Sequence, residues 1–156
     1  MTSSAPRSQQ RLALASYVRL QRAANAARTY AGRHLAGTGL TLTQFAVLEA
    51  LYHLGPMSLS DIAQKILTTG GNLTMVVGNL EKQGLAHRRK SPEDGRVFIV
   101  ALTAKGKTLI RKLFPEHAAW IVEFMSTLSP AHQEQLSGLC RQLGTSSMLT
   151  PDAATD

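Results

Sequence analysis

The stretch from Ser58 to Gly106, SLSDIAQKILTTGGNLTMVVGNLEKQGLAHRRKSPEDGRVFIVALTAKG, constrains the fold of this chain more than any other, because two helix patterns lead there into a basic hairpin. Ser58 and Asp61 have capping-box spacing and open a short helix with Leu59, Ile62, Ala63 and Ile66 facing inward. Thr69 is the expected N-cap of the next helix, which runs to Gln83 and stops at Gly84, a residue type favoured just past a helix end. Leu73, Val76, Val77 and Leu80 recur at helical spacing and predict its buried face, while Asn72, Thr74, Met75, Gly78, Asn79 and Lys82 make the other. Leu85 to Lys90 then reads as a strand and residues 91–95 as a turn; Arg96 to Leu102, β-branched and aromatic, reads as the returning strand. Two helices followed by a two-stranded β wing form a winged helix-turn-helix, which lays one helix in the DNA major groove.

More helices flank this stretch. From Gln9 to His34 the composition is strongly helix-forming, rich in alanine and decorated by five arginines. Thr41 and Gln44 have capping-box spacing and start a helix with Leu42, Phe45, Leu48 and Leu51 in a stripe, which Gly55-Pro56 stops. Thr103 caps a long helix to about Thr127, and Ser129-Pro130 starts a last one that ends near Gly144. The fold expected is mainly α with a small β hairpin (α+β). Residues 1–8 and 146–156 are expected to be disordered, and 37–102 to form the winged helix-turn-helix.

Charge agrees with a polyanion partner. Residues 1–56 hold six bases against one acid (+5), residues 57–112 ten against four (+6), and residues 113–156 one against five (−4). A basic centre beside an acidic end suggests a nucleic-acid-facing module joined to a part that faces elsewhere. No apolar run reaches the length of a membrane span and the N-terminus lacks a signal-peptide pattern, so no membrane partner and a cytoplasmic location are expected.

An enzyme has little to stand on. There is no phosphate-binding loop, no paired-carboxylate motif, and no nucleophile with a placed base, and no cofactor is expected. His34, His53, His87, His117 and His132 are scattered without metal-ligand spacing, so no metal site is expected either. The single cysteine, Cys140, sits among Leu136, Leu139 and Leu143, which predicts a buried, inert thiol; a redox-responsive regulator using Cys140 is the alternative.

The order of elements and several local motifs resemble the MarR family of bacterial winged-helix regulators (multiple-antibiotic-resistance repressors). The matching residues are Leu40-Thr41, Gln44-Phe45 and Val47-Leu48, then Ser60-Asp61-Ile62-Ala63, then Gly71-Asn72-Leu73-Thr74 with Leu80-Glu81-Lys82-Gln83-Gly84-Leu85. Downstream, Asp94-Gly95-Arg96 and Leu102-Thr103-Ala104-Lys105-Gly106 keep the spacing Asp-x-Arg, five residues, Leu-Thr-x-x-Gly. The resemblance covers roughly residues 9–145. Two departures stand out: Gly95, where the family often carries a base, and the glycines Gly70, Gly71 and Gly78 in the reading helix. Glycine inside a helix costs up to about 1 kcal/mol relative to alanine.

Within this frame the residues expected at double-stranded DNA are Ser58, Thr69, Gly70, Gly71, Asn72, Thr74, Met75, Arg88, Arg89, Lys90, Asp94 and Arg96. Asn72 has the donor–acceptor pair that recognises adenine, and Thr74 suits a thymine methyl or a phosphate. Asn72 and Thr69 also suit simple capping, Ser58 a cap as well as a phosphate donor, and Gly70-Gly71 a plain loop. The resemblance implies that Arg96 enters the minor groove, where a long planar cation meets a negative potential. Alternatively it pairs with Asp94 and fixes the turn.

One winged helix reads few base pairs, and the terminal helices are more apolar than a small core requires, so a homodimer is expected. The resemblance implies dimerisation by helices in residues 9–36 and 103–145. It also implies a cleft for a small aromatic effector; Tyr17, Tyr30, His34, Phe45, Tyr52 and His53 are the candidates to line it, with Arg19 or Arg22 to hold a carboxylate. The expected function is a sequence-specific transcriptional regulator, a repressor on a pseudopalindromic operator. The rival is a winged-helix protein–protein module that does not bind DNA.

Overall fold

Local capping decides where the helices begin. In the computed structural model, which describes residues 6–66 and 70–147, Thr41 Oγ1 accepts from Gln44 N (3.1 Å) and Gln44 Oε1 accepts from Thr41 N (2.8 Å). This reciprocal box opens α2 (Leu42–Leu54), and Gly55, with φ of 83°, ends it. Before it, α1 spans Arg7–His34, starting two residues earlier than the sequence pattern suggests because the Pro6 carbonyl already accepts from Gln10 N. The remaining elements are β1 (Met57–Ser58), α3 (Leu59–Ile66), α4 (Gly70–Lys82), β2 (Ala86–Lys90), β3 (Phe98–Leu102), α5 (Ala104–Met125) and α6 (Pro130–Ser147).

The hairpin is larger than two strands. β1 joins β3 antiparallel through Met57↔Val100 and Ser58↔Ile99, giving a sheet of order β1-β3-β2. A two-residue strand has no periodicity of its own, and its pairing comes from β3.

Two compact units make up the chain, Met1–Trp120 and Ile121–Asp156. In the first, Phe45, Val47 and Leu48 of α2, Ile62 of α3, Leu73, Val77 and Leu80 of α4, Val100 of β3 and Ile110 of α5 are almost wholly buried in one cluster. Complete burial of a side chain of this size contributes about 1.5–3 kcal/mol. In the second unit Ser129 Oγ accepts from His132 N at the start of α6. Gln133 Nε2 donates to the carbonyls of Met125 and Leu128 across the preceding turn.

Candidate nucleic-acid interface

The apolar stripe of α4 fixes which way its other side chains point. Leu73, Val76, Val77 and Leu80 are buried, so Gly71, Asn72, Thr74, Met75 and Lys82 are exposed, with Met75 61% exposed. Asn72, Met75, Asn79 and Lys82 share one face by their three- and four-residue spacing. Gly70 is the first residue of α4; Thr69 lies outside the described residues.

Gly84 closes the helix. With φ of 69° it lets Gly84 N donate to Glu81 O (2.9 Å) and Leu85 N to Leu80 O (2.9 Å), a Schellman arrangement that Gly tolerates without a Cβ penalty. The next free carbonyls are taken by the start of α5. Thr103 Oγ1 donates to Gly84 O (2.7 Å), Thr103 N to Leu85 O (3.1 Å) and Lys105 Nζ to Gln83 O (2.8 Å).

On the wing, register separates three neighbouring cations. Arg88 pairs with Val100, Arg89 with Ile99 and Lys90 with Phe98. Alternation puts Arg88 and Lys90 on the face of Val100, the wholly buried residue, and Arg89 on the opposite face. Arg88 therefore lies toward α4, where Nη2 reaches Glu81 Oε2 at 2.7 Å and its backbone N donates to Glu81 Oε1 at 2.9 Å. Arg89 and Lys90 are exposed.

At the tip, Asp94 Oδ1 accepts from Arg96 N (2.9 Å) and from Arg96 Nε (3.3 Å), while the Arg96 side chain stays 92% exposed. Asp94 thus fixes the turn through the Arg96 backbone and holds the guanidinium by Nε alone. Gly95 is exposed beside them.

Ser58 is occupied locally. Its Oγ accepts from Asp61 N (3.1 Å) and donates to Asp61 Oδ2 (2.6 Å), so its single proton is spent and Ser60 is the donor in the 2.8 Å bond between the two hydroxyls.

Most of the residues considered for an effector meet along α5. Ring centroids are 5.2 Å apart for Tyr30–Trp120, 5.5 Å for His34–His117, 4.3 Å for Phe45–His117 and 4.6 Å for His53–Phe114. Tyr52 stacks edge-on to His53. Tyr17 is 58% exposed and, thirteen residues before Tyr30, about 20 Å away along the helix, so it joins none of these pairs. Arg19 and Arg22 are exposed on α1.

Phe114, His117 and Trp120 escaped the sequence reading as a set, although their three-residue spacing on one helix was the available signal. His34 and His117 are buried, and His34 Nε2 and His117 Nδ1 have no hydrogen-bond partner. Burial first, and His34 second, hold the His117 imidazole below its ordinary range. His53 also lines an open groove of about 410 Å³ with Ala46, Glu49, Ala50 and Lys65. Burial raises the Glu49 carboxyl there, against the opposing pull of His53.

Cys140 requires a correction. It is exposed, as are Leu136, Leu139 and Leu143 around it. Apolar neighbours bury a thiol only when something covers them, and α6 offers that side uncovered. Among the described residues no group of three or more His, Cys, Asp or Glu is arranged to hold a metal ion, and no helix is long and apolar enough to cross a membrane.

With this geometry in view, comparison with known proteins is specific. Residues 40–98 match the model of the MarR family. The Bacillus subtilis HTH-type transcriptional regulator MhqR is 39% identical over 128 residues, which span 82% of this chain and 88% of that protein. Bordetella bronchiseptica BpsR, whose DNA binding is regulated by 6-hydroxynicotinic acid, superposes with a TM-score of 0.73 at 27% identity, covering 80% of this chain and 95% of its own. AbsC, a MarR family transcriptional regulator from Streptomyces coelicolor, shares the fold at a TM-score of 0.82 and 20% identity, over 96% of this chain and all of that one.

Proposed function

Because the chain belongs to the MarR family of winged-helix regulators, we propose that it is a sequence-specific DNA-binding transcriptional regulator, a homodimer that represses from a pseudopalindromic operator. One observation carries this reading. An amphipathic reading helix with Asn72, Thr74 and Met75 exposed stands beside a wing that exposes Arg89, Lys90 and Arg96, in one compact unit. Asn72 and Thr74 read base edges, Met75 packs on a thymine methyl, and Arg96 enters the adjacent minor groove. Arg89 and Lys90 neutralise phosphates, and Gly70 and Gly71 bring the backbone of the helix N-terminus close to the DNA backbone.

A second copy covers Leu12, Leu14 and Val18 on α1 and Leu136, Leu139 and Leu143 on α6, all exposed in the single chain. The dimer reads two half-sites one helical turn apart. An aromatic effector that enters among Tyr30, His34 and Phe45 changes the spacing of the two reading helices and releases DNA; regulation of BpsR by 6-hydroxynicotinic acid supports this. Its relatives being transcriptional regulators, the chain acts as a regulator in the cytoplasm and not as an enzyme.

Selection of bound duplexes from a random DNA pool tests the reading. It should return an inverted repeat whose log affinity falls steeply with log salt. Failure to enrich any sequence, or binding indifferent to salt, would leave the protein-contact module as the better account.

A further inference from the structure

Glu81 is the one acid of α4, and it meets the same partner twice. One oxygen takes the Arg88 backbone N–H and the other its guanidinium, at 2.9 and 2.7 Å, with both side chains about one-third exposed or less. β2 is an edge strand, paired only with β3, so the N–H that Arg88 gives to Glu81 is one the ladder does not use. The carboxylate thus fastens the outer edge of the wing root to the reading helix. It also neutralises Arg88, while Arg89 on the opposite face and Lys90, on the same face but one pair nearer the tip, remain exposed.

Leverage makes this fastening consequential. Arg88 lies three residues before Ser91, where the ladder closes onto Val97 and the turn begins, about 10 Å of extended chain below the tip. A rotation of about 10° at the root therefore moves the tip by roughly 2 Å, about a third of the roughly 6 Å width of the minor groove. A contact of ordinary strength at the root decides whether Arg96 reaches its groove while Asn72 sits in the next.

We propose that Glu81 is a positioning residue for DNA recognition: through Arg88 it holds the wing at a fixed pitch to α4, and Arg88 serves as a strut that makes no phosphate contact of its own. This rests on the DNA-binding reading above. It divides the basic strand into one structural cation and two that face DNA.

Salt titration of the full-length chain against a fluorescein-labelled duplex recovered from the random pool separates the roles. Glu81→Gln and Arg88→Gln should each weaken binding about tenfold, a coupling within the range for residues of one contact network, and leave the slope of log Kd on log salt unchanged. In an Arg96→Ala background the Glu81→Gln penalty should vanish, because the tip no longer has a contact to misplace. A merely stabilising ion pair would not show that dependence. A slope reduced by about 0.9 for each subunit in Arg88→Gln would identify a phosphate contact and overturn the proposal. So would tighter binding by Glu81→Gln, or penalties that add to that of Arg96→Ala. If the Arg88 variant does not fold, the Glu81–Arg96 cycle decides alone. A native chain that binds no duplex would overturn the DNA-binding reading and the strut together; native binding with additive penalties would overturn the strut only.

Discussion

The carbonyl oxygen of Leu85 occupies the space that a side chain on Gly106 would need: a Cβ built on Gly106 overlaps it, and Leu102 Cδ2 lies 3.4 Å away. The first turn of α5 is pressed against the turn that ends the reading helix, which gives the spacing Leu-Thr-x-x-Gly a steric reason. The obstructing atom belongs to the backbone and cannot swing aside. Gly106→Ala should destabilise the chain by about 1–3 kcal/mol, the range for overpacking. A urea denaturation midpoint shows it, and an alanine variant as stable as the parent would mean that the two turns separate without cost.

Asn72 distinguishes base reading from capping. Replacement by alanine should relax preference at one operator position, with discrimination there falling by about 1–3 kcal/mol. Repeating the random-pool selection with the variant reports this directly. An unchanged motif accompanied by a lower denaturation midpoint would identify a cap.

Acid should weaken the first unit through His117. Its imidazole is held below the ordinary value of 6.5 by burial and by His34. A group with a depressed pKa in the folded state contributes stability that is complete above the unfolded value and is lost as pH falls through the folded one. Denaturation midpoints should therefore decline as pH drops below 6.5, and His117→Phe should remove most of that decline. Glu49 works in the opposite sense: its raised carboxyl favours the fold in acid, and that contribution is lost as pH climbs from 4.5 through the folded value. An acid response that persists undiminished in His117→Phe would assign it to another group.

Leu139 is 58% exposed on α6 in the single chain. Leu139→Glu should shift the sedimentation coefficient from dimer to monomer. It should also cost operator binding at least about tenfold, since half of a two-fold site is then read at a time. A variant that remains dimeric would locate the interface elsewhere.

Caps and breakers were the most legible parts of the sequence, because each is a local bargain between a side chain and the nearest backbone. Thr41 with Gln44, Gly55, Gly84 and Ser129-Pro130 all end or begin helices where their chemistry says they should. β1 was not legible, since Met57 and Ser58 become a strand only through Val100 and Ile99. The partner of Arg88 was hidden for a similar reason. Strand alternation alone gives its face, but Glu81 reaches it only after Gly84 has reversed the chain. For Cys140, apolar neighbours were mistaken for a cover. The meeting of His34 with His117 depends on how two helices pack, which no local pattern encodes.

The hairpin leaves and returns at one place, for Thr103 N is bonded to Leu85 O and the Thr103 hydroxyl to Gly84 O. Residues 86–102 are thus a closed excursion with both feet pinned, and the geometry between α4 and α5 is set beneath it. The reach of the wing is therefore free to vary independently of the helices. Residues added or removed in facing pairs near the tip would alter how far Arg96 extends and leave the footing intact, so the length of the wing can change without any redesign of the core beneath it.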